Sequence, residues 1–450
     1  MSGEELAERL GPVLARALGD DGLVLGGFRR LSGGASRETW AFEAKLATGE
    51  VRPLVLRRDP PGRPASPSGG MAFEGRVIKA AGEGGVPVPG IVAAVDEESV
   101  LGSAFLVMDS VPGETIPRRI LREPEYGEAR RRLAGQCGEA LAHLHRVPPA
   151  FLPGLAGGEP LDQFRALADG LGQPHPVFEL AFRWLEDNRP PFRPGVVVHG
   201  DFRHGNLIVG PEGLRAVLDW ELTHQGDPLE DIGWLCNKAW RFGVDRPVGG
   251  FGTYDELLDS YEAAGGGHVD RDELRWWEVL STLKWGVMCI TQTVAHTSGA
   301  LRSVELAAIG RRVCEQEWDL LELLPPPPGG VWPQPSAAPP AGPGAAGRQG
   351  SSLHDIPSAA GLVEAVREFV QGDVMASTEG RVRFHARVAV NVLGMVEREL
   401  VLGPEQEARH ARGLAGLGVA DDAELALAIR GGEMDGRLAE VWSVMLEAVR

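Results

Sequence analysis

The chain of 450 residues contains few cysteines and no long apolar run. Its four cysteines, Cys137, Cys236, Cys289 and Cys314, have the spacing of neither a zinc site nor a redox motif, so we expect free, buried thiols. No apolar stretch approaches the roughly 18 residues of a membrane span. The acidic N-terminus also lacks the basic start and apolar centre of a signal peptide. The sequence therefore favours a cytoplasmic protein without a membrane partner.

Basic residues are too few to balance the acidic ones. The chain has 45 Lys and Arg against 63 Asp and Glu, which gives a formal net charge of -18. Such a charge repels nucleic acids and anionic membranes, so we exclude both as main partners. A small molecule remains as the expected partner; a cationic one is compatible with this charge, although acidic surfaces also serve solubility. The hydrophobic content of 43% is ordinary for a globular protein.

The most informative stretch is residues 199–206, His-Gly-Asp-Phe-Arg-His-Gly-Asn, which is followed by Leu218-Asp219-Trp220. An aspartate, an asparagine five positions later and a second aspartate after a short strand are the parts that phosphoryl transfer requires. Asp201 is the candidate catalytic base that orients the attacking hydroxyl and accepts its proton. Asn206 and Asp219 are the candidate ligands of Mg²⁺, which prefers oxygen.

The residues around this block predict the local geometry. Residues 196–198 are three valines and read as a short buried strand that leads into the His-Gly-Asp turn. Residues 207–209 and 216–218 are two further apolar runs, separated by Gly-Pro-Glu-Gly at 210–213, and this pattern predicts a hairpin. Such a hairpin returns the chain so that the second metal-binding residue lies beside the first.

This arrangement resembles the aminoglycoside phosphotransferase and choline kinase-like family, a branch of the protein-kinase fold. The resemblance implies an α+β, bilobal fold with an antiparallel sheet and one helix in the N-lobe and a helical C-lobe. It also implies ATP and Mg²⁺ as cofactors, and transfer of the γ-phosphate to a hydroxyl group of a small molecule. The protein is then an ATP-dependent small-molecule kinase.

The N-terminal third contains further features in the order that such a kinase needs. A Gly-rich turn lies between two predicted strands, and glycines there allow backbone N–H groups to approach phosphates. Gly33, Gly34 and Ser36 are the candidate phosphate-binding residues of this turn. The family's hinge, whose backbone reads the adenine edge, corresponds by position to residues 108–111. The candidate adenine-binding residues are therefore Met108, Asp109, Ser110 and Val111.

The third predicted strand carries an arginine where the family usually carries an ATP-binding lysine. Alternation along the strand places Val55 and Arg57 on one face, and Arg57 can bind phosphate oxygens through two nitrogens. Glu74 is the helix residue that the resemblance pairs with Arg57. The chain has only four lysines, none of them at the required place in the strand: Lys45, Lys79, Lys238 and Lys284.

Arginine at this position resembles one subgroup in particular, the kinase-like domains found alone or fused to acyl-CoA dehydrogenases. The shared features are Leu-Arg-Arg-Asp-Pro-Pro-Gly at residues 56–62 and Leu-Asp-Trp-Glu at residues 218–221. This kinship implies a hydroxylated acyl-CoA or a similar metabolite as acceptor. Two alternatives stay open: a non-catalytic nucleotide-binding module whose helical tail is the working part, and a transferase of AMP.

Composition divides the chain into three segments. Residues 1–324 form the kinase-like part, with an N-lobe over about 1–108 and a C-lobe over about 109–324. Residues 325–350 are rich in Pro, Gly and Ala and predict an extended linker. Residues 351–450 show apolar stripes at helical spacing, which predict a small all-helical domain. This tail resembles a domain of unknown function that accompanies such kinases.

Several polar residues are expected to be structural. His199 and His204 should brace the loop by hydrogen bonding, because no helical His-Glu-x-x-His or Cys pair accompanies them as a zinc hydrolase would require. Asp227 and Asp231 should cap or brace a helix that starts near Leu229. The tryptophans of residues 231–324 are expected in the core.

Overall fold

A computed structural model describes residues 1–31, 37–60, 69–330 and 357–449. The chain divides into two compact units. Unit 1 is Met1–Glu159 with Pro190–Ser281, and unit 2 is Pro160–Arg189 with Thr282–Arg450. The predicted linker lies mostly outside the described residues, so its boundaries stay a prediction.

Unit 1 begins with a five-stranded sheet in which every neighbouring pair is antiparallel. The strand order is β1-β2-β3-β5-β4. The strands are β1 (Val24–Arg30), β2 (Glu38–Lys45), β3 (Val51–Arg58), β4 (Ile91–Val95) and β5 (Phe105–Asp109). This is the antiparallel N-lobe sheet that the sequence predicts.

Helix α1 (Gly3–Leu18) covers one face of this sheet. It begins at a capping box, in which the Ser2 hydroxyl accepts the N–H of Glu5 while the Glu5 carboxylate accepts the N–H of Ser2. Its apolar residues recur every four positions and are fully buried: Leu6, Leu10 and Leu14. They form one cluster with Leu54 and Leu56 of β3. The helix therefore fixes which face of β3 is turned into the core.

The opposite face of β3 carries the two residues predicted for ligand contact. Leu54, Leu56 and Arg58 are buried, whereas Val55 and Arg57 are half-buried and alternate with them. A strand places successive side chains on opposite faces, so packing of α1 on one side directs Arg57 to the other. The predicted shared face of Val55 and Arg57 is confirmed.

Helices and two small sheets complete unit 1. A long helix runs from Gly127 to His145, with Leu133, Cys137 and Leu141 buried. The predicted hairpin consists of the strands Leu207–Gly210 and Gly213–Val217, and the strand Val196–Val198 pairs with the strand His224–Gly226. The elements are α2 (Met71–Glu83), α3 (Pro117–Arg122), α4 (Gly127–His145), β6 (Val196–Val198), β7 (Leu207–Gly210), β8 (Gly213–Val217), β9 (His224–Gly226), α7 (Pro228–Cys236) and α8 (Tyr254–Ala263).

Unit 2 is helical throughout its described part. Helix α9 (Arg271–Thr297) contributes its second half to it, and the all-helical tail is confirmed. The helices are α5 (Pro160–Leu171), α6 (Pro176–Asp187), α10 (Val304–Gly310), α11 (Val313–Leu323), α12 (Ala359–Phe369), α13 (Met375–Ser377), α14 (Gly380–Leu417), α15 (Asp422–Arg430) and α16 (Leu438–Ala448). A π-helical turn, Val370–Val374, joins α12 to α13.

A buried carboxylate joins helices from both sides of the predicted linker inside unit 2. Glu179 of α6 is 5% exposed and accepts hydrogen bonds from Arg165 of α5 and from Arg430 of α15. Arg430 also donates to Asp169 at 2.7 Å. Two guanidinium groups compensate the buried charge, which is the condition under which an ion pair survives burial.

Two sequence-based expectations are modified. Residues 351–450 form helices as their apolar stripes predict, but the stripe that lies on α12 is exposed at Leu362, Val366 and Phe369. Cys314 is exposed as well, near the start of α11, while the other three free cysteines are buried as predicted. No described helix is long and apolar enough to cross a membrane.

Candidate active site

A glycine shapes the turn that presents Asp201. Strand β6 ends at Val198, and Gly200 then adopts a left-handed backbone with φ of +80°. A Cβ atom on this residue would lie 2.4 Å from the carbonyl oxygen of Leu222. Both the positive φ and the close approach exclude other residues. The backbone therefore turns sharply between His199 and Asp201.

The turn is held by Asp231, one helix later in the chain. Its fully buried carboxylate accepts the backbone N–H of His199 at 2.7 Å and that of Gly200 at 2.9 Å. His145 lies 3.3 Å away on the same carboxylate. Asp227 caps α7 as predicted, by accepting the N–H of Leu229. Asp231, which was predicted to cap or brace the same helix, lies in its first turn and directs its carboxylate to the backbone N–H groups of His199 and Gly200.

His199 connects the turn at residues 199–201 to residues 218–221, the segment with the predicted metal ligand Asp219, which is called the metal loop below. Its Nε2 lies 3.0 Å from the carbonyl oxygen of Leu218 and donates to it, while its Nδ1 accepts the N–H of Asp201 at 3.1 Å. Burial lowers the pKa of His199, so the ring stays neutral and keeps this donor and acceptor arrangement. The predicted bracing role of His199 matches these contacts.

His204 also braces the loop, from its other end. It is fully buried and bonds the carbonyl oxygen of Gly249 through Nδ1 at 2.7 Å. Phe242 and Phe251 meet its ring edge-on. Burial lowers the pKa of His204 to about 4. A neutral, enclosed histidine of this kind is structural, as predicted.

Three side chains position the Asp201 carboxylate. Arg203 donates through Nε to both oxygens, at 3.0 and 3.2 Å. Asn206 donates through Nδ2 to Oδ2 at 2.7 Å, and Trp234 donates through Nε1 to Oδ1 at 2.8 Å. The carboxylate is therefore fixed in orientation, which a base acting on one hydroxyl requires.

The hairpin brings the two predicted metal ligands together. Residues 207 and 217 are paired, and the N–H of Leu218 donates to the carbonyl of Asn206 at 2.8 Å. Asp219 follows with φ of +68°, one of two described non-glycine residues with positive φ. Such a backbone costs about 1–3 kcal/mol and concentrates at functional sites. The strain is consistent with a carboxylate that must be presented in one direction.

The side chains present suit a magnesium ion. The Nδ2 of Asn206 is used by Asp201, so its amide oxygen faces away from that contact, and Asp219 supplies carboxylate oxygens. Mg²⁺ typically takes one or two protein oxygens and completes its shell with water and phosphate. The described residues contain no group of three or more His, Cys, Asp or Glu that could hold a metal. A magnesium site with two protein ligands needs fewer such groups.

Arg57 links the predicted helix glutamate to the metal loop. Its Nη1 donates to Glu74 at 3.1 Å and its Nη2 to Asp219 at 2.6 Å. Burial alone would raise the pKa of Asp219, but the charge and hydrogen bond of Arg57 outweigh it and hold this pKa below its ordinary value. The structure thus brings together Arg57, Glu74 and Asp219, residues that lie far apart in the sequence.

A second arginine, Arg37, occupies the other oxygen of Glu74. Its side chain is 5% exposed and donates to Glu74 at 2.5 Å and to Asp59 at 3.0 Å. Its Nη2 also lies 3.4 Å from Glu221, two residues after Asp219. Burial acts to lower the pKa of Arg37, but Glu74, Glu221 and Asp59 together raise it. Arg37 therefore joins the start of β2, the end of β3, helix α2 and the metal loop.

The predicted hinge lies at the end of β5. The N–H of Asp109 donates to the carbonyl of Gly90 and that of Ser110 to the carbonyl of Pro53. The Asp109 carboxylate binds Arg52 through two hydrogen bonds. Met108, 4% exposed, pairs with Val55 in the sheet. Of the four hinge residues, Val111 is the one whose N–H is paired with no backbone carbonyl of a described residue.

The Gly-rich turn falls outside the described residues, and Gly33, Gly34 and Ser36 with it. The sequence reasoning missed three residues that contact the site, Arg37, Arg203 and Trp234, and it gave Asp231 a role in the helix alone. Arg203 stands inside the motif and could have been found as a cation beside the base. Arg37, Trp234 and Asp231 act across long sequence separations, and no local pattern signals them.

Two family models match the chain. One is described as the phosphotransferase enzyme family and matches residues 27–277. The other is described as a domain of unknown function (DUF6285) and matches residues 376–450. The first covers more than half of the chain and includes Arg37, Arg57, Glu74 and the whole 199–221 region.

Curated relatives and solved structures are similar over parts of the chain. Acyl-CoA dehydrogenase family member 10 of Mus musculus is 32% identical over 200 residues, which are 41% of this chain and 18% of that protein. Acyl-CoA dehydrogenase family member 11 of Homo sapiens is 32% identical over 230 residues, which are 45% of this chain and 29% of that protein. The matches thus span less than a third of either relative. The resemblance to kinase-like domains of this group is confirmed.

One crystal structure shares the fold. It is of a protein from Ralstonia eutropha JMP134 that is described as an aminoglycoside phosphotransferase by assignment and not by demonstrated activity. The match has a TM-score of 0.52 and 21% sequence identity, and it covers 69% of this chain and 95% of that one. At this identity the likeness shows the fold, and it confirms the predicted kinase-like architecture.

Proposed function

The chain belongs to the phosphotransferase enzyme family, and from this premise we propose that it transfers the γ-phosphate of ATP to a hydroxyl group of a small molecule. The observation that carries the proposal is the position of Arg57 between Glu74 and Asp219. It supplies a fixed cation beside the metal loop, where the family's lysine is absent. A decayed nucleotide site would have no reason to keep this pairing.

The transfer follows from the residues around Asp201. The hydroxyl oxygen of the acceptor forms a bond to the γ-phosphorus, while the bond from that phosphorus to the bridging oxygen breaks and its electron pair leaves with ADP. The hydroxyl proton passes to the Asp201 carboxylate. Arg203, Asn206 and Trp234 hold that carboxylate by hydrogen bonds, so the base needs no reorganisation at the moment of transfer.

The phosphates would be bound from two sides. Arg57 would contact their oxygens, and Glu74 keeps its guanidinium in place on the ligand face of β3. Asn206 and Asp219 would hold Mg²⁺, which supplies neutralisation of the phosphate charge when it is bound. Val111 would read the adenine edge through its backbone N–H. Gly33, Gly34 and Ser36 stay the predicted phosphate-binding residues of the Gly-rich turn.

The acceptor class is proposed from the relatives. Both are named as acyl-CoA dehydrogenase family members, and each matches this chain over less than half of its length. A hydroxyacyl-CoA is therefore the first acceptor class to test. We place this reaction in the cytoplasm. Its partner would be a small molecule, and neither a nucleic acid nor a membrane.

The test is ADP release from Mg·ATP in the presence of hydroxyacyl-CoA thioesters and other small alcohols. We expect Asp201→Asn to lower kcat by a factor of about 10²–10⁴ while the KM for ATP changes little, because the base acts in the transition state. Full turnover in Asp201→Asn would refute the assignment of the base. Binding of ATP without turnover on any hydroxyl would favour the non-catalytic alternative.

A further inference from the structure

The guanidinium group of Arg203 contacts the protein through its Nε edge and through one face, while its edge with the two terminal nitrogens has no hydrogen-bond acceptor among the described residues. Its Nε contacts both oxygens of Asp201. Its Cζ lies over the ring of Trp240, 4.7 Å from the ring centroid. The side chain is 25% exposed. Within the described part of the chain, neither of its terminal nitrogens, Nη1 and Nη2, donates to any acceptor.

Bracing of Asp201 does not account for this arrangement. A guanidinium that serves to hold a carboxylate does so best with two parallel N–H···O bonds from two nitrogens. Arg203 instead spends a single nitrogen, and Asn206 and Trp234 already donate to the two carboxylate oxygens. The terminal nitrogens are therefore available for a ligand.

The positive charge of Arg203 lies beside the predicted base. Its Nε is 3.0 Å from Oδ1 of Asp201. Asn206 donates to the same carboxylate and accepts the N–H of Leu218, the residue before Asp219. Arg203 is thus close to the base on one side and near the metal loop on the other. The phosphoryl group must pass through this region during transfer.

We propose that Arg203 is a further catalytic residue, which binds oxygen atoms of the phosphoryl group in transfer through Nη1 and Nη2. This inference rests on the proposed function. As the acceptor oxygen bonds to the γ-phosphorus and the electron pair of the breaking bond leaves with ADP, the proton moves to Asp201 and the charge is spread over the phosphoryl oxygens. A planar fork matches two such oxygens, and the contact with the Trp240 ring restricts the movement of the guanidinium before the ligand arrives.

The experiment compares binding of Mg·ADP alone with binding of Mg·ADP plus aluminium fluoride, a mimic of the phosphoryl group in transfer. The variants are Arg203→Gln and Arg203→Lys. Arg271→Gln is the matched control, because Arg271 also stacks on a ring, that of Tyr254 at 4.8 Å, and also pairs with a carboxylate. Calorimetric titration gives both affinities without any need to know the acceptor.

We expect the affinity of Arg203→Gln for Mg·ADP to lie within about twofold of that of the wild type. Its affinity for the aluminium fluoride complex should fall by about 10²–10³-fold, because the removal of one hydrogen-bond donor to the developing charge has an effect of that size. Arg203→Lys should recover part of the loss, and Arg271→Gln should match the wild type. Trp240→Leu, which keeps Arg203 but removes the ring that its guanidinium contacts, should lose about tenfold in affinity for the aluminium fluoride complex.

Other outcomes overturn the proposal. Equal weakening of both complexes in Arg203→Gln would show that Arg203 only supports the nucleotide site, and unchanged binding of both would show that it is dispensable. A wild type that binds Mg·ADP without any gain from aluminium fluoride would also contradict the role of Arg203. Failure of the wild type to bind Mg·ADP at all would instead refute the proposed function itself.

Discussion

Replacement of Arg37 by methionine removes the charge at the centre of the ion-pair network while keeping a long apolar side chain. Glu74, whose side chain is 4% exposed, then loses one of its two arginine partners. Asp59 and Glu221, each 20% exposed, lose a contact as well. Breaking a buried ion pair from one side costs about 3–5 kcal/mol. Because Glu74 keeps Arg57, we expect the lower end, about 3 kcal/mol.

Arg30→Met is the matched control in the neighbouring strand. Arg30 is 50% exposed and pairs with Glu38 at 3.2 Å, and Glu38 keeps Arg58 as a second partner. Exposed pairs of this kind contribute about 0–1 kcal/mol. The two variants thus exchange the same residue types and differ in the burial and the number of the carboxylates left behind.

The assay is thermal unfolding of the full chain, recorded by differential scanning calorimetry. For a unit of this size, 1 kcal/mol corresponds to a shift in Tm of roughly 2–4 °C. We therefore expect Arg37→Met to lower the Tm by about 6 °C or more, and Arg30→Met by about 4 °C or less. Equal shifts in the two variants would refute the reasoning that burial makes the Arg37 network important.

Two further predictions concern buried carboxyl groups of unit 1. Burial raises the pKa of Glu278, which accepts the hydroxyl of Tyr254 at 2.6 Å, from its ordinary value to about 7; the folded state therefore favours the protonated form, and its stabilising contribution is full at low pH and lost as the pH rises from about 4.5 to 7. Glu278→Gln should accordingly gain on the wild type by up to about 3 kcal/mol between pH 5 and 8, and a constant difference across that range in urea unfolding would contradict this. Asp231→Asn exchanges one acceptor oxygen for an amide beside the N–H groups of His199 and Gly200, so we expect a loss of about 1.5–3 kcal/mol together with a lower kcat, and an unchanged Tm would sink the idea.

The motif around Asp201 could be predicted because its geometry is local. Glycine at 200 and the four-residue turn at 210–213 leave the chain few conformations, and the apolar runs on either side give the register of the hairpin. The proximity of Asn206 and Asp219 follows from that register. Arg57 was predictable for a related reason, since strand alternation and the packing of α1 leave it one face to occupy.

The rest depends on contacts between distant segments. Arg37 contacts Glu221 only once the complete unit has folded, and the same holds for the contact of Asp231 with the N–H of His199. Neither contact produces a periodic pattern in the sequence. The hinge illustrates the same difference. Its position could be read from the strand, but the use of the Asp109 and Ser110 N–H groups by other carbonyls appears only in the folded sheet.

Magnesium-dependent binding of ATP tests the central claim most directly. Calorimetric titration would compare the wild type, Asp219→Asn and, as control, the exposed Asp245→Asn, with and without Mg²⁺. Asparagine suits the test because it tolerates the left-handed backbone of Asp219. We expect Mg²⁺ to tighten ATP binding in the wild type and in Asp245→Asn, and to have little effect in Asp219→Asn. The same magnesium dependence in all three proteins, or no binding of ATP to the wild type, would contradict the account.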